Sequence, residues 1–171
     1  MALSGAVPDG SLVFLCHDHG MVKLVTGSRV THSAMVFNHG GVPWVYDAWR
    51  PKVRRMPLPE YEKFVAKEGE EMWLLRPRRN YSSVEVARML EYAKSQLGRS
   101  YGVKAYVAGK PTRPIHCSWY TTETLARSGR YVSDKPWSVS PIDLLESVLS
   151  VHFAPEKVNL GESHATQTIP R

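Results

Sequence analysis

The hydrophobic pattern of this chain changes period near residue 80, and that change limits the folds open to it. Before it, apolar residues come in short runs rich in Val and Leu, at 11–15, 21–25, 34–37, 42–46 and 72–75. Such runs predict strands. Asn38-His39-Gly40-Gly41 joins two of them and suits a hairpin turn. Pro77 predicts that the last strand ends there or lies at a sheet edge. A short helix over 59–67, burying Tyr61, Phe64 and Val65, interrupts this half.

After residue 80 the signals are helical. Ser82 and Glu85 form an S-x-x-E capping box. Val86, Leu90, Ala93 and Leu97 follow at helical spacing, and Gly98 suits the stop. A second helix is expected over 117–127, with Ser128-Gly129 as its exit. A third starts at Ser140 as N-cap, with Pro141 and Asp143 at positions that suit them and Leu144, Leu145, Val148 and Leu149 on its buried side. Strands first and helices after predict an α+β domain with segregated elements.

The 171 residues suit one domain, expected over 1–154. The remainder, 155–171, is polar and aperiodic and is expected to pack poorly. A chain of this size buries enough surface to need no disulfide or metal for its core. No run approaches the roughly 20 apolar residues of a membrane span. Residues 1–8 lack the basic start and apolar stretch of a secretory signal, so a cytoplasmic location is expected.

The net charge is +6. It concentrates at Arg50, Lys52, Arg54 and Arg55, and again at Arg76, Arg78 and Arg79. Such clusters suit a nucleic acid or an anionic lipid surface, or simply a solvated face. No zinc-finger, helix-turn-helix or RNA-binding pattern accompanies them, and no nucleic-acid partner is expected.

There are two cysteines, Cys16 and Cys117. Two are too few for a disulfide framework, so a thiol with histidines elsewhere in the chain is a candidate nucleophile. Cys117 begins a predicted helix, where unpaired N–H groups and the helix dipole favour a thiolate and a developing oxyanion. As a plain core residue it would be a small buried hydrophobe. His32 opens an apolar strand and can present its ring to a cleft. Asp47 ends the strand expected to pair with it. Counting outward from the turn at 38–41 sets His32 against about Asp47, the arrangement a base and its orienting carboxylate require. A separate cluster, Cys16-His17-Asp18-His19, has metal-binding residue types, but its spacing fits no common zinc pattern.

Several stretches resemble one family. Asp9-Gly10-Ser11 with the strand after it, Val22 to Ser28, and Thr31-His32-Ser33 resemble the opening of the permuted papain-like NlpC/P60 cysteine hydrolases, in particular the YaeF/YiiX group. Val45-Tyr46-Asp47-Ala48 resembles the family's next strand, Gln96-Leu97-Gly98 to Tyr101 the segment before the nucleophile, Ile115-His116-Cys117-Ser118 the nucleophile motif, and Ser140-Pro141 the start of its last helix. The likeness spans roughly residues 9–150. Ser11 and Trp119 stand where the family often has acidic residues, and neither carries the chemistry.

The resemblance implies a circularly permuted papain-like fold, with the histidine strand before the nucleophile helix. It implies Cys117 as nucleophile, His32 as base and then acid, and Asp47 as the group that orients the imidazole. The activity implied is a cysteine peptidase or amidase working through a thioester without cofactor or metal. The substrate would be a peptide, an amino-acid conjugate or an acyl lipid. Two alternatives stay open: an acyltransferase like lecithin retinol acyltransferase, and a catalytically silent module that binds a peptide or amino acid.

Overall fold

A computed structural model describes residues 6–17 and 27–160. Its centre is a six-stranded antiparallel sheet. The strands are β1 (Ser11–Cys16), β2 (Val30–His39), β3 (Val42–Ala48), β4 (Val53–Pro57), β5 (Glu71–Leu75) and β6 (Glu156–Val158). Their order across the sheet is β4-β3-β2-β1-β5-β6. The β2–β3 hairpin turns at Gly40 and Gly41, both with positive φ (58° and 83°), as tight hairpin turns require.

Among the described residues five α-helices follow or interrupt the strands: α1 (Leu58–Glu68), α2 (Ser83–Ser95), α3 (Lys104–Ala108), α4 (Cys117–Ala126) and α5 (Pro141–Val148). Both faces of the sheet are covered. On one, Leu12, Phe14, Met35, Phe37 and Tyr46 pack with Met89 and Ala93 of α2, Tyr120 and Leu125 of α4, and Leu144 and Val148 of α5. On the other, Val13, Leu15, Ala34, Val36 and Val45 pack with Leu58, Tyr61 and Val65 of α1. Burial on two sides explains why β1 is an unbroken apolar run and does not alternate.

The helix starts follow local chemistry. Ser82 and Glu85 form the capping box expected of them, and Ser140 with Asp143 forms another behind Pro141. The α+β class and the order of strands then helices are as the sequence predicts.

The structure adds to the expectations at three places. Strand β4 was not foreseen: Pro51 and Pro57 bound it, and its charged centre lacks an apolar alternation. Within the stretch expected to pack poorly, Glu156–Val158 pairs with β5 and Val158 is buried, while residues 161–171 lie outside the described residues. The basic runs are largely a solvated face, with Arg50, Lys52, Arg55, Arg78 and Arg79 exposed, but three of their arginines have set partners. Arg54 binds Asp47, Arg76 pairs with Glu156, and Arg78 donates to the carbonyls of Leu149 and His152. The strand expected at 21–25 lies outside the described residues.

Candidate active site

Helix α4 is nearly all buried, and its first residue is Cys117. The residue before it, His116, is the N-cap. Its Nδ1 accepts from the Trp119 N–H at 3.3 Å, in place of the usual Ser or Asp oxygen. Nδ1 is therefore unprotonated, and Nε2–H donates to the Trp137 carbonyl at 3.0 Å. The helix is anchored to the sheet by Ser33, whose Oγ lies 3.3 Å from Thr121 Oγ1, and to α2 by Tyr120, whose hydroxyl donates to the Ala93 carbonyl at 3.1 Å.

The lead-in to Cys117 is equally fixed. Tyr101 bridges Ile115 in parallel, and the Gly102 N–H donates to the Ile115 carbonyl at 3.0 Å. Tyr101 N–H in turn donates to the Pro51 carbonyl at 2.9 Å. Residues 51, 101 and 115 thus tie the loop after β3 to the turn that delivers the thiol.

His32 is 4 % exposed, on β2 beside an irregularity in the β1–β2 register. Leu15 pairs with His32 and Cys16 with Val30, so Thr31 is an extra residue there. Bulges of this type re-aim neighbouring side chains. The partner of Asp47 across the sheet is Ala34, two residues from the expected pairing with His32. His32 still meets Asp47, because residues two apart share a face and an imidazole can span the diagonal. Nε2 lies 3.3 Å from Asp47 Oδ2, within ion-pair distance but not aligned as a hydrogen bond. Trp49, just past β3, sets its ring edge-on to the imidazole, with centroids 4.7 Å apart.

Electrostatics link His32 to the Cys117 thiol. Burial works against a charged His32, but the Cys117 thiolate and Asp47 outweigh it and raise the imidazole to about 9. Burial likewise pushes the Cys117 thiol up, but the His32 charge, with further lowering from the neighbouring His116 and from the hydrogen bond to His32, holds it well below its ordinary range. The His32 charge is the leading influence on the thiolate, and His116 is the second. With His32 Nε2 turned to Asp47, Nδ1 is the nitrogen left for sulfur.

The three residues singled out from sequence therefore come together. Sequence reasoning missed Trp49, His116 and Arg54. Arg54 Nε donates to Asp47 Oδ1 at 3.0 Å, and its Nη2 donates to Oδ2 at 3.4 Å. Its position in a basic run gave no sign of a buried partner.

Among solved structures the chain is similar to metalloprotein yiiX from Escherichia coli O157:H7, a DUF1105 protein. The TM-score is 0.65 at 17% identity, over 90% of this chain and 97% of that one. The fold is YiiX-like. At that identity the likeness speaks for fold alone. No family model matches the chain, and no curated protein matches it.

The YiiX-like fold raises the question of a metal, because that neighbour is a metalloprotein. Among the described residues no three His, Cys, Asp or Glu side chains stand together as a metal site. The donor chemistry at Cys117 is also unsuited, since Arg54 already places a cation on both oxygens of Asp47. Of the Cys16-His17-Asp18-His19 cluster, Asp18 and His19 lie outside the described residues, and burial pushes the Cys16 thiol up. A separate cleft of about 700 Å³, lined by Val7, Asp9, Asn38, Leu58, Glu62 and Tyr81 among others, includes none of Cys117, His32 and Asp47. Among the described residues no helix is long and apolar enough to cross a membrane.

Proposed function

We propose that this protein is a cysteine hydrolase, an amidase or peptidase that works through a thioester acyl-enzyme. The observation that carries this reading is a buried thiol at a helix N-terminus set against a buried imidazole, which is itself backed by a carboxylate. That constellation activates sulfur in the way a thiol nucleophile requires. The permuted papain-like NlpC/P60 resemblance supports the same residues in the same roles.

The reaction runs as follows. Cys117 Sγ, as thiolate, attacks the carbonyl carbon of an amide, and the carbonyl π electrons move to oxygen. Unpaired N–H groups in the first turn of α4 face the developing oxyanion. The tetrahedral intermediate collapses, the C–N bond breaks, and His32 gives its proton to the departing amine. Water then adds to the thioester with His32 as base, the C–S bond breaks, and the acid leaves with Cys117 again a thiolate. Acid–base assistance of this kind is worth roughly 10² to 10⁴ in rate. Asp47 keeps the imidazole aligned through both halves.

The test is the pH dependence of iodoacetamide alkylation at Cys117, read by mass spectrometry on the folded protein and on His32→Ala. The expected result is reaction well below the ~8.5 midpoint of a free thiol, moving up when His32 is removed. A Cys117 that is inert at every pH, or that titrates as an ordinary thiol with or without His32, would refute the covalent mechanism. An amide and ester panel, with Cys117→Ala as the control, then separates hydrolysis from simple binding.

A further inference from the structure

Arg54 sits where a surface arginine has no reason to be held so firmly. Its guanidinium carbon lies 4.6 Å from the ring centre of Phe64 on α1 and 5.2 Å from that of Trp49. Those rings touch each other edge to face at 5.1 Å, and Trp49 also abuts His32. A guanidinium against two aromatic faces is held by cation–π attraction and by packing of its stem. From this slot it donates to both oxygens of Asp47, which is 1% exposed, while Arg54 itself is 25% exposed. Asp47 Oδ2, which meets His32, is one of the two oxygens Arg54 touches.

We propose that Arg54 is a positioning residue of this site: packed against Trp49 and Phe64, it fixes the Asp47 carboxylate and neutralises part of its charge, so that His32 faces a fixed but tempered partner. The inference rests on the reading of His32 as the base, and it adds what sets the strength of that base. A buried carboxylate without Arg54 would have His32 as its nearest counter-charge and would bind the imidazolium more tightly. An imidazolium held too tightly is a poor proton donor to a leaving group.

The other titratable groups around the pair remain the same when Arg54 is changed. They are Cys117 and Tyr120 from α4, Tyr61 from α1, Glu70 from the turn before β5, and Tyr101 beside the thiol. Burial raises the Glu70 carboxyl, and its charge bears on His32 in every variant equally.

The experiment is an NMR titration of the ¹³C-labelled His32 imidazole in the full chain, assigned against the spectrum of His32→Asn. Arg54→Met removes the charge and keeps most of the stem. It should move the His32 midpoint to higher pH by about one unit, the order expected for losing a unit charge several ångströms away at an effective dielectric near 20. Arg54→Gln should move it the same way, and it serves if the Met variant folds poorly by its amide dispersion. Arg54→Lys, which keeps the charge, should stay near the parent. Loss of structure alone would let water in and move His32 down towards its ordinary value. A midpoint that falls or does not move in the Met or Gln variant, or that rises equally in the Lys variant, overturns the proposal. No substrate is used, so a failed hydrolysis panel or an inert Cys117 leaves this outcome readable.

Discussion

Asp47 stands across the sheet from Ala34, and its Oδ2 lies 3.3 Å from His32 Nε2 on the neighbouring diagonal. The same carboxylate accepts from Arg54 on its other side. Asp47→Asn should therefore cost the imidazole its alignment and move the His32 midpoint down, opposite to the shift from neutralising Arg54. Asp47→Ala also leaves a guanidinium unpaired. Breaking one side of a buried pair costs roughly 3–5 kcal/mol, and because Arg54 can turn partly to water we expect about 2 kcal/mol here. Urea denaturation checks the second figure, and NMR titration checks the first.

The thiol and imidazole predict a particular pH response. His32 is raised from 6.5 to about 9, so its contribution to stability is complete below pH 6.5 and disappears as pH rises through about 9. Cys117 is lowered from 9.0, so its contribution is complete above pH 9 and disappears as pH falls through the lowered value. Between 6.5 and 9 the two slopes oppose each other, because the folded pair and the unfolded pair hold the same number of protons. Below 6.5 the thiol's slope remains, and stability should fall with acidification. Cys117→Ser removes the thiolate. It should bring the His32 midpoint down from about 9 and flatten the acid slope, as thermal melts between pH 4 and 7 would reveal.

His116 caps α4 through Nδ1. His116→Ala should cost about 1 kcal/mol, the usual worth of an N-cap. In a chain of this size that lowers Tm by roughly 2–4 °C. His116→Asn supplies another capping side chain and should recover most of the loss. In both variants the alkylation midpoint of Cys117 should rise by less than in His32→Ala, because the His32 charge is the leading influence on the thiolate. A rise in the Asn variant as large as that in His32→Ala would move that assignment to His116.

Gly102 is required for a close approach. A Cβ there would sit 2.8 Å from Pro114 Cβ, within the segment that leads to Cys117. Gly102→Ala should displace residues 114–116 at a cost of about 1–3 kcal/mol, the range for overpacking. Alkylation of Cys117 at neutral pH should slow, even where circular dichroism shows the fold retained.

The strands and helices with strong local signals were readable from sequence. Ser82 with Glu85, and Ser140 with Asp143, specify their helix starts through side-chain bonds to nearby backbone, and local chemistry of that kind needs no tertiary information. The hairpin at Gly40-Gly41 is another such case. The Ala34–Asp47 pairing was missed by two residues, because a turn signal fixes where a hairpin bends but leaves the count of loop residues open. Strand β4 and Arg54 were missed for a different reason. An arginine buried by its partners looks the same in sequence as one in solvent, and only the sheet brings Asp47, Trp49 and Phe64 around it. Glu156–Val158 looked like tail because a three-residue edge strand has too few positions to show a period.

Strands β1 to β5 all precede α4 in the chain. On the ribosome, then, His32 and Asp47 are synthesised and can pair into a sheet before Cys117 emerges. The three residues meet only once α4 docks against strands that are already made.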